Sequence, residues 1–193
     1  MNTSECEIDQ AAERERELRR LQERLWVIQA SAGDRDAFAR LVELYQRPLV
    51  YYLRRFVLEP SAALDLHQEV WLDAFRGIAH LRAPEAFRVW IYQLARRKAA
   101  RFFQQRLSGL ADLDSADVSE IPLESAETPV DAEAVHHALG QIDPGAREVL
   151  TLHYLRDLSL EELAAVIEIP VGTVKSRLHH ARRALRRVLE RTK

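Results

Sequence analysis

Apolar residues recur along most of this chain at spacings of three and four positions, which is the period of an α-helix. Residues 5–30 are rich in charged residues and carry a single narrow apolar stripe, made of Leu18, Leu21, Leu25 and Ile28. A helix with so narrow a stripe could dock on the following domain, pair with a partner, or be only marginally stable alone. We expect an N-terminal helical extension over residues 1–29.

A first helical domain is predicted over residues 30–107, because the helical period continues there between a few turn-forming residues. Glu59–Ser61 marks a break, and Ser61 is a suitable N-cap for a helix over residues 62–77. Pro84 suits the first turn of the helix that follows. The pattern therefore indicates three main helices in this domain.

Residues 108–131 differ from their surroundings in both period and charge. They show no sustained apolar period and include Pro122 and Pro129. The stretch between Leu107 and Ala134 holds eight Asp or Glu residues and no Lys or Arg, a composition that does not support a packed core. We predict a flexible acidic linker here, followed by a second helical domain over residues 132–193.

The composition agrees with an all-α fold of two small helical domains joined by this linker. The 193 residues include 6 Gly and 7 Pro, and 47% are hydrophobic, which is enough to bury a core. No apolar run approaches the length of a membrane span, and the charged N-terminus lacks a signal-peptide core. The single cysteine, Cys6, cannot form an internal disulfide. We expect a cytoplasmic protein.

The C-terminal segment carries the most specific local pattern. Ser159 and Glu162 fit a capping box at the start of a short helix. A brief break at Glu168–Pro170 leads directly to another helix. Two short helices joined by so brief a turn are typical of a helix-turn-helix, whose second helix enters the major groove of DNA.

The second of these helices separates apolar from cationic side chains. From Lys175 to the C-terminus, eight Lys or Arg residues accompany Glu190 as the one acid, although the formal net charge of the chain is only -2. The N-terminal end of the helix supplies small residues, hydroxyls and cations, which allow close approach to bases and phosphates. We expect DNA contacts from Gly172, Thr173, Lys175, Ser176, Arg177, His179, His180 and Arg183.

Simpler interpretations of this helix are an ordinary solvated basic face or a helix lying on anionic lipid. The capped first helix, the short turn and the polar N-terminal end together favour DNA. The pairs His136–His137 and His179–His180 suggest a metal site, but adjacent helical residues point about 100° apart and chelate poorly. We therefore predict no metal and no cofactor, and we find no catalytic spacing that indicates an enzyme.

Four stretches of the chain resemble the extracytoplasmic-function sigma factors of bacteria. LSLEELAAVIEIPVGTVKSRLHHARRALRRVL is similar to their promoter-reading C-terminal domain. GDRDAFARLVELYQRPL, DLHQEVWLDAFRGI and FRVWIYQLARRKAARFF are similar to their N-terminal domain. The resemblance covers roughly residues 30–105 and 135–190. It implies a factor that binds core RNA polymerase, brings it to particular promoter DNA and helps to open it, without catalysing a covalent step. An anti-sigma factor is a further partner to expect.

The resemblance also assigns roles within the first domain. In the family, the helix holding DLHQEVWLDAF grips the polymerase, and an acidic face with one apolar residue suits a basic partner surface. We carry this polymerase-binding role to Asp65, Gln68, Glu69 and Leu72.

The next helix interleaves cations with aromatic rings, as a single-stranded DNA surface requires. By resemblance, this helix and the loop before it meet the minus-ten element through His80, Arg82, Arg88, Tyr92, Arg96, Arg97 and Arg101. Phe87 and Trp90 are expected in the core. The family commonly has Asn and Asp where this chain has Arg97 and Arg101, so the resemblance does not fix the preferred minus-ten bases.

Two other classes of function compete with this interpretation. A response-regulator-type activator could carry a similar helix-turn-helix, but it would need an α/β domain in front, and no strand-like alternation is visible. A helical adaptor could bind a protein partner and have lost DNA binding. Initiation on promoter DNA together with core polymerase separates a sigma factor from both.

Overall fold

The computed structural model describes residues 3–54, 56–57, 59–109, 137–155 and 157–191 of the chain. These residues form an all-α fold of two helical domains, as predicted, and no strand occurs among them. The main helices are α1 (Thr3–Ser31), α2 (Arg35–Leu53), α3 (Pro60–Gly77), α4 (Phe87–Gly109), α5 (Pro144–Leu150), α6 (Leu160–Ile167) and α7 (Val171–Arg191). The predicted acidic linker lies outside the described residues, except that residues 108 and 109 belong to α4.

The N-terminal helix packs through a different face from the apolar stripe seen in the sequence. Val27 and Ala30 are buried, and α1 lies against α2. The predicted stripe, Leu18, Leu21, Leu25 and Ile28, is 52–65% exposed. Helix α1 therefore docks on the following domain, which is one of the three possibilities that the sequence left open, but it does not dock through this stripe. Gly33, with a φ of 98°, turns the chain, and the Asp34 carboxylate then caps α2 by accepting from two backbone amides.

The first domain is built around edge-to-face aromatic contacts between α2 and α4. Tyr45 contacts Phe87 at 5.6 Å between ring centroids, and Tyr52 contacts Tyr92 at 5.4 Å. All four rings are buried, and such pairs stabilise the fold by more than the area that they bury.

The predicted N-cap of α3 is wrong by two residues: Glu59 occupies the N-cap, because Pro60 already stands in the first turn.

The second domain confirms the predicted helix-turn-helix. The Ser159 hydroxyl accepts from the amide of Glu162 at 3.1 Å, and the Glu162 carboxylate accepts from the amide of Ser159 at 2.7 Å, which completes the capping box. Helix α6 ends at Ile167, and its C-cap Glu168 adopts the left-handed conformation with a φ of 62°, which stops the helix and turns the chain. Helix α7 begins three residues after Glu168 and buries Val174, Leu178 and Ala181.

The two domains pack against each other, an arrangement that the sequence did not predict. Helix α6 of the second domain lies on α4 of the first, and buried residues of both domains form one continuous apolar cluster. The side chain of Gln93 on α4 donates to the backbone oxygen of Ala165 on α6 at 2.9 Å. Within the described part of the chain, no helix is both long and apolar enough to cross a lipid bilayer.

Candidate nucleic-acid interface

Helix α7 turns its predicted DNA-contacting residues outward, because its apolar residues fix its orientation. Val174, Leu178 and Ala181 face the domain core. Gly172, Lys175, Ser176, Arg177, His179, His180 and Arg183 are exposed, and Thr173 is half-buried. The Ser176 hydroxyl donates to the backbone oxygen of Thr173 at 2.9 Å. The structure therefore exposes seven of the eight predicted residues and half-buries Thr173. These eight residues, together with exposed Arg182, Arg186 and Arg187, form what we call the α7 face.

The α7 face carries cations that no acid neutralises among the described residues. Its exposed cations are Lys175, Arg177, Arg182, Arg183, Arg186 and Arg187. None of these side chains forms an ion pair with an acid of the described ranges. Arg182 instead lies over the ring of Tyr154, 5.4 Å from its centroid. An unpaired cationic surface of this kind suits an anionic partner such as the phosphate backbone of DNA.

The histidine pairs show no metal-binding geometry in the described residues. His179 and His180 are both exposed, and their ring centroids lie 5.7 Å apart. No group of three or more His, Cys, Asp or Glu side chains within the described ranges is arranged to hold a metal ion. His136 lies outside these ranges.

The residues predicted to meet the minus-ten element fall into three groups. His80, Arg82, Arg97 and Arg101 are exposed, and Arg88 and Arg96 are half-buried. Tyr92 is completely buried between Tyr45 and Tyr52. The prediction that Tyr92 contacts DNA is wrong for this arrangement, because the buried face of α4 is wider than the stripe read from the sequence and includes Tyr92.

The side chain of Arg96 forms an ion pair with an acid of the second domain. Its Nε lies 3.2 Å from the Oε1 of Glu148 on α5, and this carboxylate is almost entirely buried. The same Oε1 accepts a hydrogen bond of 2.8 Å from the Tyr52 hydroxyl. Burial and the Glu148 carboxylate raise the pKa of Tyr52 well above its ordinary value, so the phenol stays protonated and donates. Sequence reasoning missed Tyr52 and Glu148, because their partners come from distant parts of the chain.

A shallow cavity of about 440 Å³ opens beside the loop between α3 and α4. Its lining residues are Gly77, His80, Leu81, Arg82, Ala86 and Trp90. Trp90, which the sequence assigned to the core, is only half-buried and forms part of the wall. A β-carbon at Gly77 would lie 2.8 Å from the Trp90 ring, so glycine allows the indole to approach. An aromatic wall with neighbouring cations has the chemistry to hold an unstacked base.

Helix α3 exposes the predicted polymerase-binding residues on one face. Asp65, Gln68, Glu69 and Leu72 are all exposed. Lys98 of α4 bridges Glu69 at 3.0 Å and Asp73 at 2.9 Å. These two hydrogen bonds raise the pKa of Lys98.

The apolar part of the α3 surface is larger than the sequence indicated. Leu72 and Phe75 are more than half exposed, and Leu64 is nearly so. The Phe75 ring also makes an edge-to-face contact with Phe38, at 5.2 Å between ring centroids. We call Leu64, Asp65, Gln68, Glu69, Leu72 and Phe75 the α3 face. Acidic and apolar groups on one exposed helix suit a protein partner that is both basic and apolar.

Comparison with protein families and relatives agrees with this division into two domains. The Sigma-70 region 2 family matches residues 41–107, and the Sigma-70 region 4 family matches residues 132–185. The RNA polymerase sigma-H factor of Pseudomonas aeruginosa is 32% identical over 182 residues, which cover 88% of this chain and 94% of that protein. The ECF RNA polymerase sigma-E factor of Escherichia coli is 30% identical over 179 residues, covering 86% of this chain and 93% of that protein.

Solved structures agree with the fold. The sigma factor RpoE in complex with the anti-sigma factor NepR from Bartonella quintana matches with a TM-score of 0.71 and 21% identity, covering 79% of this chain and 96% of that one. CnrH in complex with the cytosolic domain of CnrY matches with a TM-score of 0.64 and 22% identity, covering 89% of this chain and 99% of that one.

Proposed function

The chain belongs to the extracytoplasmic-function (ECF) family of RNA polymerase sigma factors, and from this premise we propose how its two domains divide the work of initiation. It binds core RNA polymerase and directs transcription initiation at particular promoters, in a stress or envelope response. The proposal concerns which surface of the chain performs which step.

We assign reading of the minus-thirty-five element to the second domain, residues 132–193. The observation that carries this assignment is the α7 face, where buried Val174 and Leu178 hold an unpaired cationic and hydroxyl-bearing surface outward. Lys175, Ser176 and Arg177 lie near the helix N-terminus, the end that a helix-turn-helix places against base edges. Arg183, about two turns further along, is suited to phosphate contact.

We assign recognition and opening of the minus-ten element to the first domain, residues 30–107. Exposed Arg97 and Arg101 on α4 offer charge to phosphates. The cavity walled by Trp90 and Arg82 offers a place for a base removed from the stack. Strand opening then draws on binding energy from both features, without any covalent step by this chain.

We assign polymerase binding to the α3 face, with Leu72 and Phe75 as its apolar part and Asp65 and Glu69 as its acidic part.

An anti-sigma factor, where one exists, would compete for surfaces that polymerase or DNA needs. The chain would act in the cytoplasm, where polymerase and chromosomal DNA meet, and residues 108–131 would tether the domains while they bind separate sites.

Separate loss of the two activities tests this division. Promoters are first mapped by sequencing transcript starts made by core polymerase and the wild-type chain on genomic DNA. We expect the double variant Lys175→Ala/Arg177→Ala to lower initiation at these promoters at least about tenfold while binding core normally. We expect Asp65→Asn/Glu69→Gln to weaken core binding by about fivefold to tenfold in a pull-down.

A charge-matched control is Arg14→Ala/Arg16→Ala on the exposed part of α1, which should change neither activity. Equal loss of core binding and promoter use in both test variants would contradict the division of labour. Absence of initiation by the wild-type chain with core polymerase would contradict sigma-factor activity itself.

A further inference from the structure

The two domains meet at a buried polar contact that none of the steps above uses. Glu148 belongs to the second domain and is 7% exposed. Its carboxylate accepts hydrogen bonds from the Tyr52 hydroxyl of α2 at 2.8 Å and from the Arg96 guanidinium of α4 at 3.2 Å. Both donors belong to the first domain, so this single acid connects the domains through two helices.

A second polar contact lies one helical turn away on the same side of α4. Gln93 donates to the backbone oxygen of Ala165 on α6 at 2.9 Å. Gln93 and Arg96 stand three positions apart, a spacing that places them on one helix face. The second domain therefore covers a defined strip of α4, the helix that also carries the exposed cations Arg97 and Arg101.

The chemistry of the Glu148 contact favours a definite but reversible closed arrangement. A buried carboxylate needs a partner, and removal of one partner leaves an uncompensated charge. When the domains separate, however, Glu148 and Arg96 both return to water, which solvates them well. Such pairs specify one arrangement more than they stabilise it, so a partner that binds the separated domains can open them.

We propose that Glu148, Tyr52 and Arg96 form an interdomain latch that keeps the free factor closed and withholds Arg96 from promoter DNA. When the α3 face binds core polymerase and the α7 face binds DNA at a separate site, only separated domains can satisfy both contacts, so simultaneous binding opens the latch and releases Arg96 for the minus-ten strand. This inference rests on the proposed function, because it requires α4 to meet the minus-ten element, and it adds Arg96, which the sequence predicts among those contacts.

Variants of Glu148 and of its donor Tyr52 test the latch in the full-length chain. Glu148→Gln removes the charge but keeps the shape, and Tyr52→Phe removes one donor but keeps the ring. The matched control is Glu161→Gln, which removes the same charge from an exposed position of the second domain. The measurements are the radius of gyration by small-angle X-ray scattering, and the affinity for a fluorescent 12-nucleotide oligo(dT) in fluorescence anisotropy.

We expect both latch variants to increase the radius of gyration of the free factor and to bind oligo(dT) more tightly, by about tenfold for Glu148→Gln. Glu161→Gln should match the wild type in size and show only the small gain expected from one lost negative charge. Circular dichroism establishes that helix content is retained, and Tyr52→Phe serves as the test if Glu148→Gln fails to fold.

A tether provides the opposite test. In a Cys6→Ser chain, the substitutions Gln93→Cys and Ala165→Cys provide two thiols that a short bis-maleimide joins. The tethered chain should lose oligo(dT) binding by α4 and initiation with core polymerase, whereas the same chain without the reagent should keep both. Latch variants that match the wild type in size and affinity, or a tethered chain that initiates normally, would overturn the latch. The wild type would still initiate with core polymerase in that case, so the failure is distinct from failure of the proposed function.

Discussion

Helices α4 and α7 are the two predicted DNA-binding helices, and their charged residues differ in how far they are exposed. Helix α7 contacts its own domain along one stripe, and the remaining circumference is exposed and cationic. Helix α4 is packed by α2 and α3 of its own domain and by α6 of the other. Tyr92 is consequently buried and Arg96 is paired with Glu148, while Arg97 and Arg101 remain exposed.

This difference shows that the exposed part of a helix depends on how many other helices pack against it. A stripe of apolar residues predicts the face that meets one neighbour. It does not reveal a second neighbour that contacts the helix through polar groups such as Gln93 and Arg96. The α7 face is exposed in this arrangement, whereas the exposure of Arg96 on α4 depends on the position of the second domain.

Replacement of Tyr92 has the largest expected effect on the free energy of unfolding. It distinguishes a role of Tyr92 in the core from a role in DNA binding. Replacement by alanine removes a fully buried ring, so we expect Tyr92→Ala to lower the free energy of unfolding by about 3–5 kcal/mol in a urea titration. The exposed Arg97→Ala should change it by no more than about 0.5 kcal/mol. A Tyr92→Ala chain with wild-type stability and impaired minus-ten binding would restore the DNA-contact assignment.

Alanine substitutions at two glycines compare a crowded position of the first domain, Gly77, with an open position of the second, Gly172. Gly77→Ala places a methyl group against the Trp90 ring, so we expect a loss of about 1–3 kcal/mol in the free energy of unfolding. A β-carbon at Gly172 meets nothing within 4 Å, so Gly172→Ala should raise stability by up to about 1 kcal/mol.

The Gly172→Ala chain should nevertheless bind promoter duplex less tightly, because the added methyl group occupies space at the end of α7 that DNA approaches. Thermal unfolding and duplex binding by anisotropy measure the two effects. Unchanged duplex binding would place the DNA elsewhere on the domain.

Salt dependence gives the smallest expected effect and compares one cation from each helix in the free factor. We expect Arg183→Ala to reduce the slope of log Kobs against log salt concentration by about 0.9 for duplex DNA, which corresponds to one lost phosphate contact. Arg96→Ala should leave that slope unchanged, because Nε of Arg96 is paired with Glu148 in the closed factor and its charge is already compensated. Equal reductions in the two variants would show that Arg96 is as available to duplex DNA as Arg183.

The sequence alone predicted the features that depend on interactions between residues close together in the chain. Helical periodicity predicted the all-α fold, and the Ser159–Glu162 capping box and the short turn predicted the helix-turn-helix, because their interactions span only a few residues. The apolar stripe of α7 also predicted which of its residues are exposed, whereas their contacts with DNA stay a prediction. The α3 start was displaced, because Pro60 at the first turn competed with the capping preference of Ser61.

The remaining features depend on contacts between distant parts of the chain. Tyr52 and Glu148 are 96 positions apart, and no local pattern links them. The orientation of α1 was also missed, because its exposed leucine stripe is more regular than the face formed by Val27 and Ala30 that meets α2. Long-range packing of this kind can be read from coordinates but not from a single periodic pattern.

The most direct test of the account is a cryo-electron microscopy structure of core polymerase with this chain on a mapped promoter. The account predicts that Lys175 and Arg177 lie in the major groove of the minus-thirty-five duplex. It also predicts that Arg96 is separated from Glu148 and lies beside the minus-ten strand. An initiation complex in which the Arg96–Glu148 pair is intact and the α7 face points away from DNA would contradict it.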